Sequence, residues 1–141
     1  MAECARLGTL GSLLTGTLGA QGHFANGLAA LFNACGQDAA CVAEAAVGTT
    51  TFEVNGEGGL YVSVSLPNLI VGTVGGGTKL PSQRACLDIL GMAGPGNSRA
   101  FAELSACVCM AAEISLVAAI SANEFAQAHA RLARGTKLPA A

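Results

Sequence analysis

Gly72-Thr73-Val74-Gly75-Gly76-Gly77-Thr78 places four glycines within seven residues. An apolar run ending at Val71 precedes it, and a helix-like run from Pro81 to Leu90 follows. Bare backbone between a strand and a helix can turn sharply and bring N–H groups close to an anion or a flat ring. The spacing, G-x-x-G-G-G-T, is neither the dinucleotide fingerprint G-x-G-x-x-G nor the P-loop pattern G-x-x-x-x-G-K-[ST]. Taken alone, the stretch leaves a tight structural turn and a ligand cradle both open.

Upstream, Thr49 to Val54 is β-branched and short, and Asn55-Gly56-Glu57-Gly58-Gly59 is turn chemistry. Leu60 to Leu66 alternates apolar and polar residues with period two. Together these predict a β-hairpin with one wet face. Pro67 and Asn68 interrupt the second strand, and Leu69 to Val71 are expected to resume it.

The rest reads as helix. Gly11 to Ala46 is rich in alanine and leucine, and Phe24, Leu28, Leu31, Phe32 and Cys35 recur at helical spacing. Its glycines at 16, 19, 22, 27 and 36 would each weaken an isolated helix by up to about 1 kcal/mol, and are read as tolerable under close-packed neighbours. Pro81 suits the first turn of a helix through Leu90. Asn97 or Ser98 can cap a long helix to about Ala122 that is apolar on nearly every face, the mark of a core or an interface. Asn123 can cap a last helix, Glu124 to about Arg134, and residues 135–141 read as a loose tail. The expected class is α+β, long buried helices packed with a small antiparallel hairpin.

Of the 141 residues, 52% are hydrophobic and only 11% charged, against about 25% charged in ordinary domains. So few charges cannot cover an independent globule; a missing segment or a second copy of the chain is expected to cover the remainder. The net charge of −2 and the absence of a basic run argue against nucleic acid. Cys4, Cys35, Cys41, Cys86, Cys107 and Cys109 lie mostly in alanine-rich stretches, without a C-x-x-C pair, and read as reduced core residues of a cytoplasmic protein. The N-terminus suits neither a signal peptide nor an anchor, and Glu113 interrupts the most apolar run, so no membrane span is expected.

Several polar residues could carry chemistry. Asp38, one of two aspartates, sits among alanines in Ala34-Cys35-Gly36-Gln37-Asp38-Ala39-Ala40 and reads as a solvated helix-end acid or a functional one. His23 and Asn26 are i, i+3 neighbours. Fifteen residues separate His23 from Asp38, about 22 Å on a straight helix, so the two form no dyad unless the helix breaks. Glu113 reads as a buried acid that caps a neighbouring helix or pairs with an arginine. His129 lies between alanines.

The order GQDAA, GTVGGGT, EISL and a late histidine resembles the hydroxymethylglutaryl-CoA reductase family, from about Gly11 to about Arg134. The resemblance implies the C-terminal half of that family's large, substrate-binding domain, spanning residues 1–141, in an oxidoreductase that converts 3-hydroxy-3-methylglutaryl-CoA to mevalonate and CoA with NADPH. It implies that Asp38 holds the catalytic lysine and that His129 protonates the departing CoA thiolate. Val74, Gly75, Gly76 and Arg134 would contact the cofactor; His23, Asn26, Leu116 and Ile120 would contact the substrate. Family members place their active sites at a dimer interface, so a homodimer or higher homo-oligomer is expected. The family's Glu-Asn-Val-Ile-Gly, Asp-Ala-Met-Gly and lysine-loop segments do not occur, and Lys79 and Lys137 lie in no matching motif. The chain is therefore expected to need the missing N-terminal part of the catalytic domain and to be inactive alone. Gly135 stands where mammalian enzymes have a regulatory serine. A non-catalytic CoA-binding or oligomerisation module of the same fold is the alternative reading; metal or redox chemistry at Cys107 and Cys109 is a distant third.

Overall fold

The computed structural model describes residues 1–17, 19 and 21–132. In chain order the elements are α1 (Ala2–Leu14), α2 (Phe24–Cys35), α3 (Val42–Ala45), β1 (Thr49–Val54), β2 (Leu60–Ser65), α4 (Pro81–Ile89), α5 (Ser98–Ser121) and α6 (Phe125–Leu132), with 3-10 turns at Ala39–Cys41 and Gly76–Lys79. The α+β class holds. β1 and β2 pair antiparallel in register Thr49↔Ser65 through Val54↔Leu60. Asn55 closes their turn, its Oδ1 accepting from the N–H groups of Glu57 and Gly59. The hairpin is half-buried along its middle and exposed at its turn, rather than wet on one face throughout.

The expected helix from Gly11 to Ala46 is broken, and its glycines do the breaking. Gly16 and Gly36 take left-handed φ of 74° and 69°. After each, the next residue's N–H reaches back to the last turn: Thr17 to Ser12 and Gln37 to Phe32. This is the usual left-handed helix stop, open to glycine because it has no Cβ. Gly91 ends α4 the same way, and Asn123, φ 58°, ends α5. Asn123 thus stops the preceding helix where the sequence suggested a cap for the next. Leu69 to Val71 do not resume the strand but run as irregular chain. The expectations for Arg134 and the tail lie outside the described residues.

α2 is the central element. Phe24, Leu28 and Phe32 are fully buried and meet Ala45 and Cys109, with Val64 and Leu66 packed alongside. Cys35, at the C-terminal end of α2, joins a second cluster with Leu87 and Phe101. Gly27 faces Val108 and Gly22 faces Leu116, so α2 and α5 run antiparallel. Burying one such side chain contributes roughly 1.5–3 kcal/mol. Exposed i, i+4 ion pairs such as Arg84–Asp88 and Arg99–Glu103 contribute only about 0.3–0.5 kcal/mol. The apolar stripes therefore hold the helices together.

Burial on α5 is narrower than its composition. One stripe, Phe101, Ser105, Cys109, Glu113 and Val117, is buried at every fourth residue. By length and composition α5 could cross a membrane, yet this stripe packs on α2 and the hairpin. α1 buries none of its residues, and Leu7, Leu10, Leu13 and Leu14 are exposed. The cysteines divide in the same way: Cys35 and Cys109 are buried, Cys107 is exposed, and the other three are half-buried.

A Cβ on Gly36 would lie 2.4 Å from the Gly77 carbonyl carbon, whereas one on Gly91, at nearly the same φ, meets nothing within 4 Å. Gly91→Ala is expected to lose only the left-handed penalty, roughly 1–2 kcal/mol. Gly36→Ala should lose clearly more, as read by urea denaturation. A second test uses pH. Burial, and then the Glu113 charge one turn away, push the Cys109 thiol from 9.0 up to about 11. The unfolded chain releases this proton first, so stability is intact below pH 9 and declines between 9 and 11, by up to about 1.4 kcal/mol per pH unit. Cys109→Ala should make that decline shallower.

Candidate active site

The GQDAA segment begins where α2 stops. Gly36 turns left-handed, Asp38 is extended, and the Asp38 Oδ1 accepts from the Ala40 N–H at 2.9 Å, capping the 3-10 turn Ala39–Cys41. Asp38 is exposed. The solvated helix-end acid and the functional acid are thus compatible: a cap fixes the carboxylate while leaving it open to a partner. Burial foremost, then a hydrogen bond with Glu44 and the charges of Asp38 and Glu44, raise the nearby Cys41 thiol.

Gln37 ties this turn to the glycine loop. Its Nε2 donates to the Gly72 carbonyl at 2.8 Å and its Oε1 accepts from the Gly72 N–H at 2.8 Å. The same Nε2 donates to the Cys35 carbonyl at 3.0 Å. A side-chain amide that both gives to and takes from one residue imitates a strand neighbour. Next to the clamp, the backbones of Gly36, one residue before Gln37, and Gly77, five residues after Gly72, touch, too close for a Cβ on either. The loop is pinned again where the Thr73 hydroxyl donates to the Gly94 carbonyl at 2.6 Å and the Thr78 hydroxyl donates to that of Gly75.

Gly75 and Gly76 differ from Gly36 and Gly77. Their φ values are 83° and 50°, and a Cβ on either would meet open space. Asp38 and Gly76 line two adjoining shallow clefts, of about 430 Å³ and about 210 Å³, the second also lined by Val74 and Gly75. The structure therefore brings together Asp38, Val74, Gly75 and Gly76. Reading the sequence missed the pairing of Gly36 with Gly77 and the clamp at Gln37. The side-by-side Gly-Gln in GQDAA was the available signal, and a lone glutamine does not announce its partner.

The other named residues gather at the opposite end of α2. His23 is its N-cap residue, and Asn26 Nδ2 lies 3.5 Å from His23 Nδ1. Glu113, buried at 4% exposure, accepts from the His23 backbone N–H at 2.5 Å. Of its two expected roles it takes the capping one. Leu116 packs directly against the substituent-free Gly22: a Cβ there would sit 2.1 Å from Leu116 Cδ2. Ile120 is exposed and lines a cavity of about 310 Å³ with Glu113, Val117 and Gly22.

His129, exposed on α6, follows the C-terminus of α5 and so lies toward the His23 end. Its ring centroid lies 4.4 Å from that of Phe125 with the rings tilted by 48°, and Nδ1 is 3.3 Å from the Phe125 carbonyl. Asp38 and His129 are thus not brought together: α2 separates their neighbourhoods. Arg134 lies outside the described residues.

Gln37→Leu removes both halves of the clamp. At about 1 kcal/mol net per neutral hydrogen bond, a loss of roughly 2–3 kcal/mol is expected. Amide exchange at Gly72 should rise while exchange in the hairpin stays slow.

The family model described as hydroxymethylglutaryl-coenzyme A reductase matches residues 1–134. A 3-hydroxy-3-methylglutaryl-coenzyme A reductase of Aeropyrum pernix is 50% identical over 131 residues, covering 89% of this chain and 31% of that protein. The enzyme so named in Pyrococcus horikoshii is 48% identical, covering 89% and 32%, and that of Haloferax volcanii is 48% identical, covering 92% and 33%. The chain spans about a third of the length of these relatives. With the family model matching nearly its whole length, the chain belongs to the hydroxymethylglutaryl-coenzyme A reductase family.

Proposed function

We propose that this chain is the C-terminal half of the large, substrate-binding domain of an enzyme that reduces 3-hydroxy-3-methylglutaryl-CoA to mevalonate and CoA. The observation that carries the reading is the single unit formed by Asp38 and the glycine loop, joined by Gln37 and by the Gly36–Gly77 contact. Such a unit fixes an acid beside bare backbone, which is the juxtaposition a reduction at a carbonyl requires.

The loop fits NADPH. Gly75 and Gly76 present unencumbered backbone to an open cleft, so a flat ring could approach more closely there than over any Cβ. Val74, Gly75 and Gly76 would hold the nicotinamide half, and Arg134, by its resemblance, the phosphate. When bound, NADPH supplies the hydride. Asp38 would hold a lysine ammonium contributed from outside this chain, keeping that cation where negative charge grows on the carbonyl oxygen. His23, Asn26, Leu116 and Ile120 would hold the acyl end of the thioester.

His129 is suited to donate a proton to the leaving CoA sulfur. Its Nδ1 faces the Phe125 carbonyl, which leaves Nε2 outward. An imidazolium that gives up the Nε2 proton keeps Nδ1–H for that carbonyl, so the neutral product tautomer is already satisfied.

Because α2 separates Asp38 from His129, one copy of this chain does not assemble both around one substrate. The rest of the family's chain, and a second subunit, would complete the site. The exposed leucines of α1 and the apolar flank of α5 are consistent with covered surface of that kind. We place the assembled protein in the cytoplasm as a homodimer or higher oligomer, with no activity expected from these 141 residues alone.

The test compares two variants on two substrates in the completed enzyme. His129→Gln should slow the overall reaction by roughly 10²–10⁴-fold, the range of general acid catalysis, and affect reduction of free mevaldehyde much less, since no thiolate leaves there. Asp38→Asn should damage both, because each reduction needs the carbonyl polarised. Equal damage to both substrates by His129→Gln would remove its role as the thiolate's proton donor. Binding of CoA without turnover in the completed protein would instead favour a non-catalytic module.

A further inference from the structure

We propose that Glu113 is a positioning residue: from α5 it sets the first turn of α2, and through that turn the placing of His23 and Asn26 on the acyl end of the substrate. The inference rests on the reading of His23 and Asn26 as substrate contacts.

α2 has no side-chain cap of its own; His23, at its N-cap, makes no such hydrogen bond. The free N–H groups and positive end of the helix dipole there call for an acceptor, preferably an anion. Ser, Thr, Asp or Asn at the N-cap would supply one locally at little desolvation cost. Here the acceptor comes from ninety residues away in sequence, on another helix, and is a carboxylate at 4% exposure. A buried carboxylate is costly unless hydrogen-bonded and charge-compensated. A purely structural contact in a stripe otherwise made of Phe101, Ser105, Cys109 and Val117 has cheaper solutions. What the distant acid does is couple two elements in a fixed geometry.

The coupling has a steric half as well. Gly22, immediately before His23, lets α5 press against the turn, since a Cβ there would fall 2.1 Å from Leu116 Cδ2 and 3.7 Å from Glu113 Oε1. Glu113 and Leu116 are three residues apart on α5, i, i+3 neighbours on the side that meets the turn. The carboxylate thus fixes His23 and Leu116 relative to each other. Asn26 Nδ2 lies 3.5 Å from His23 Nδ1, so the two side chains sit together on the first turn. A shift of that turn would move the imidazole and the Asn26 amide together.

The experiment measures, in the completed enzyme, KM for hydroxymethylglutaryl-CoA, KM for NADPH and hydrogen exchange across residues 23–28. The variants are Glu113→Gln, which keeps an acceptor without charge, Glu113→Leu, His23→Ala and the double variant His23→Ala with Glu113→Leu. Glu113→Leu should speed exchange of this turn and raise the thioester KM roughly tenfold or more, with Glu113→Gln in between, as a neutral acceptor is the weaker cap. KM for NADPH should stay within about twofold, because the glycine loop is held at the other end of α2 by contacts Glu113 does not touch, and distant sites behave independently. In the double variant, the loss of Glu113 should add little to that of His23. If Glu113→Leu or Glu113→Gln speeds exchange but leaves the thioester KM unchanged while His23→Ala raises it, Glu113 is structural only and the proposal is overturned. Equal increases in both KM values would overturn it too. If His23→Ala itself leaves the thioester KM unchanged, the reading of His23 as an acyl contact fails, and the positioning role fails with it; the continued response of exchange to Glu113 tells that failure from the first.

Discussion

The approach of two backbones at Gly36 and Gly77 governs the architecture of this chain. Each lacks the one carbon that would keep the two segments apart. That contact lets the Gln37 amide reach both polar groups of Gly72, and it seats the glycine loop on the end of α2. α4 follows directly from the loop, so the second core cluster of Cys35, Leu87 and Phe101 is closed by the same contact. A few atoms of missing side chain therefore decide where a loop, a helix and half a core are placed.

α2 acts as a spacer between two differently built ends. Its C-terminal end is organised by neutral backbone and amide hydrogen bonds, which are short-range and directional. Its N-terminal end is organised by a buried carboxylate and a helix dipole, which is a matter of charge. In between lie Phe24, Leu28 and Phe32, fully buried and stiffly packed. A rigid middle keeps the two ends at a constant separation, so the groups at each end can be described independently.

Much of this was legible in the residues. The hairpin followed from alternation around Asn55 to Gly59, and the start of α4 from Pro81. Of Phe24, Leu28, Leu31, Phe32 and Cys35, read at helical spacing, all but Leu31 form the buried face of α2, and Leu31 is half-buried beside it. The break of the long N-terminal helix was not read, because a glycine in a sequence is equally a weak helix residue and a left-handed stop. Which it becomes is not settled by neighbouring segments alone: Gly36 turns left-handed against Gly77, whereas Gly16 and Gly91 do so with nothing against them. The burial of α5 was overread for a related reason: composition reports how apolar a face is, while burial depends on what is present to cover it. Gln37 was passed over since an amide carries no charge or periodicity, and its importance comes only from a partner thirty-five residues away.

Asn123 is the only residue other than glycine found at positive φ among the described residues, and it stands between α5 and α6. Asparagine tolerates that conformation, but the ordinary right-handed region is also open to it. The two conformations differ in outcome. As it stands, the chain turns off the axis of α5 and α6 rests on its end. With Asn123 right-handed, the two helices would join into one rod, and His129 would ride about 12 Å beyond Ser121 along the axis, at 1.5 Å per residue. One backbone rotation at a single joint thus separates a bent arm from a straight one, and the imidazole, midway along α6, moves with it.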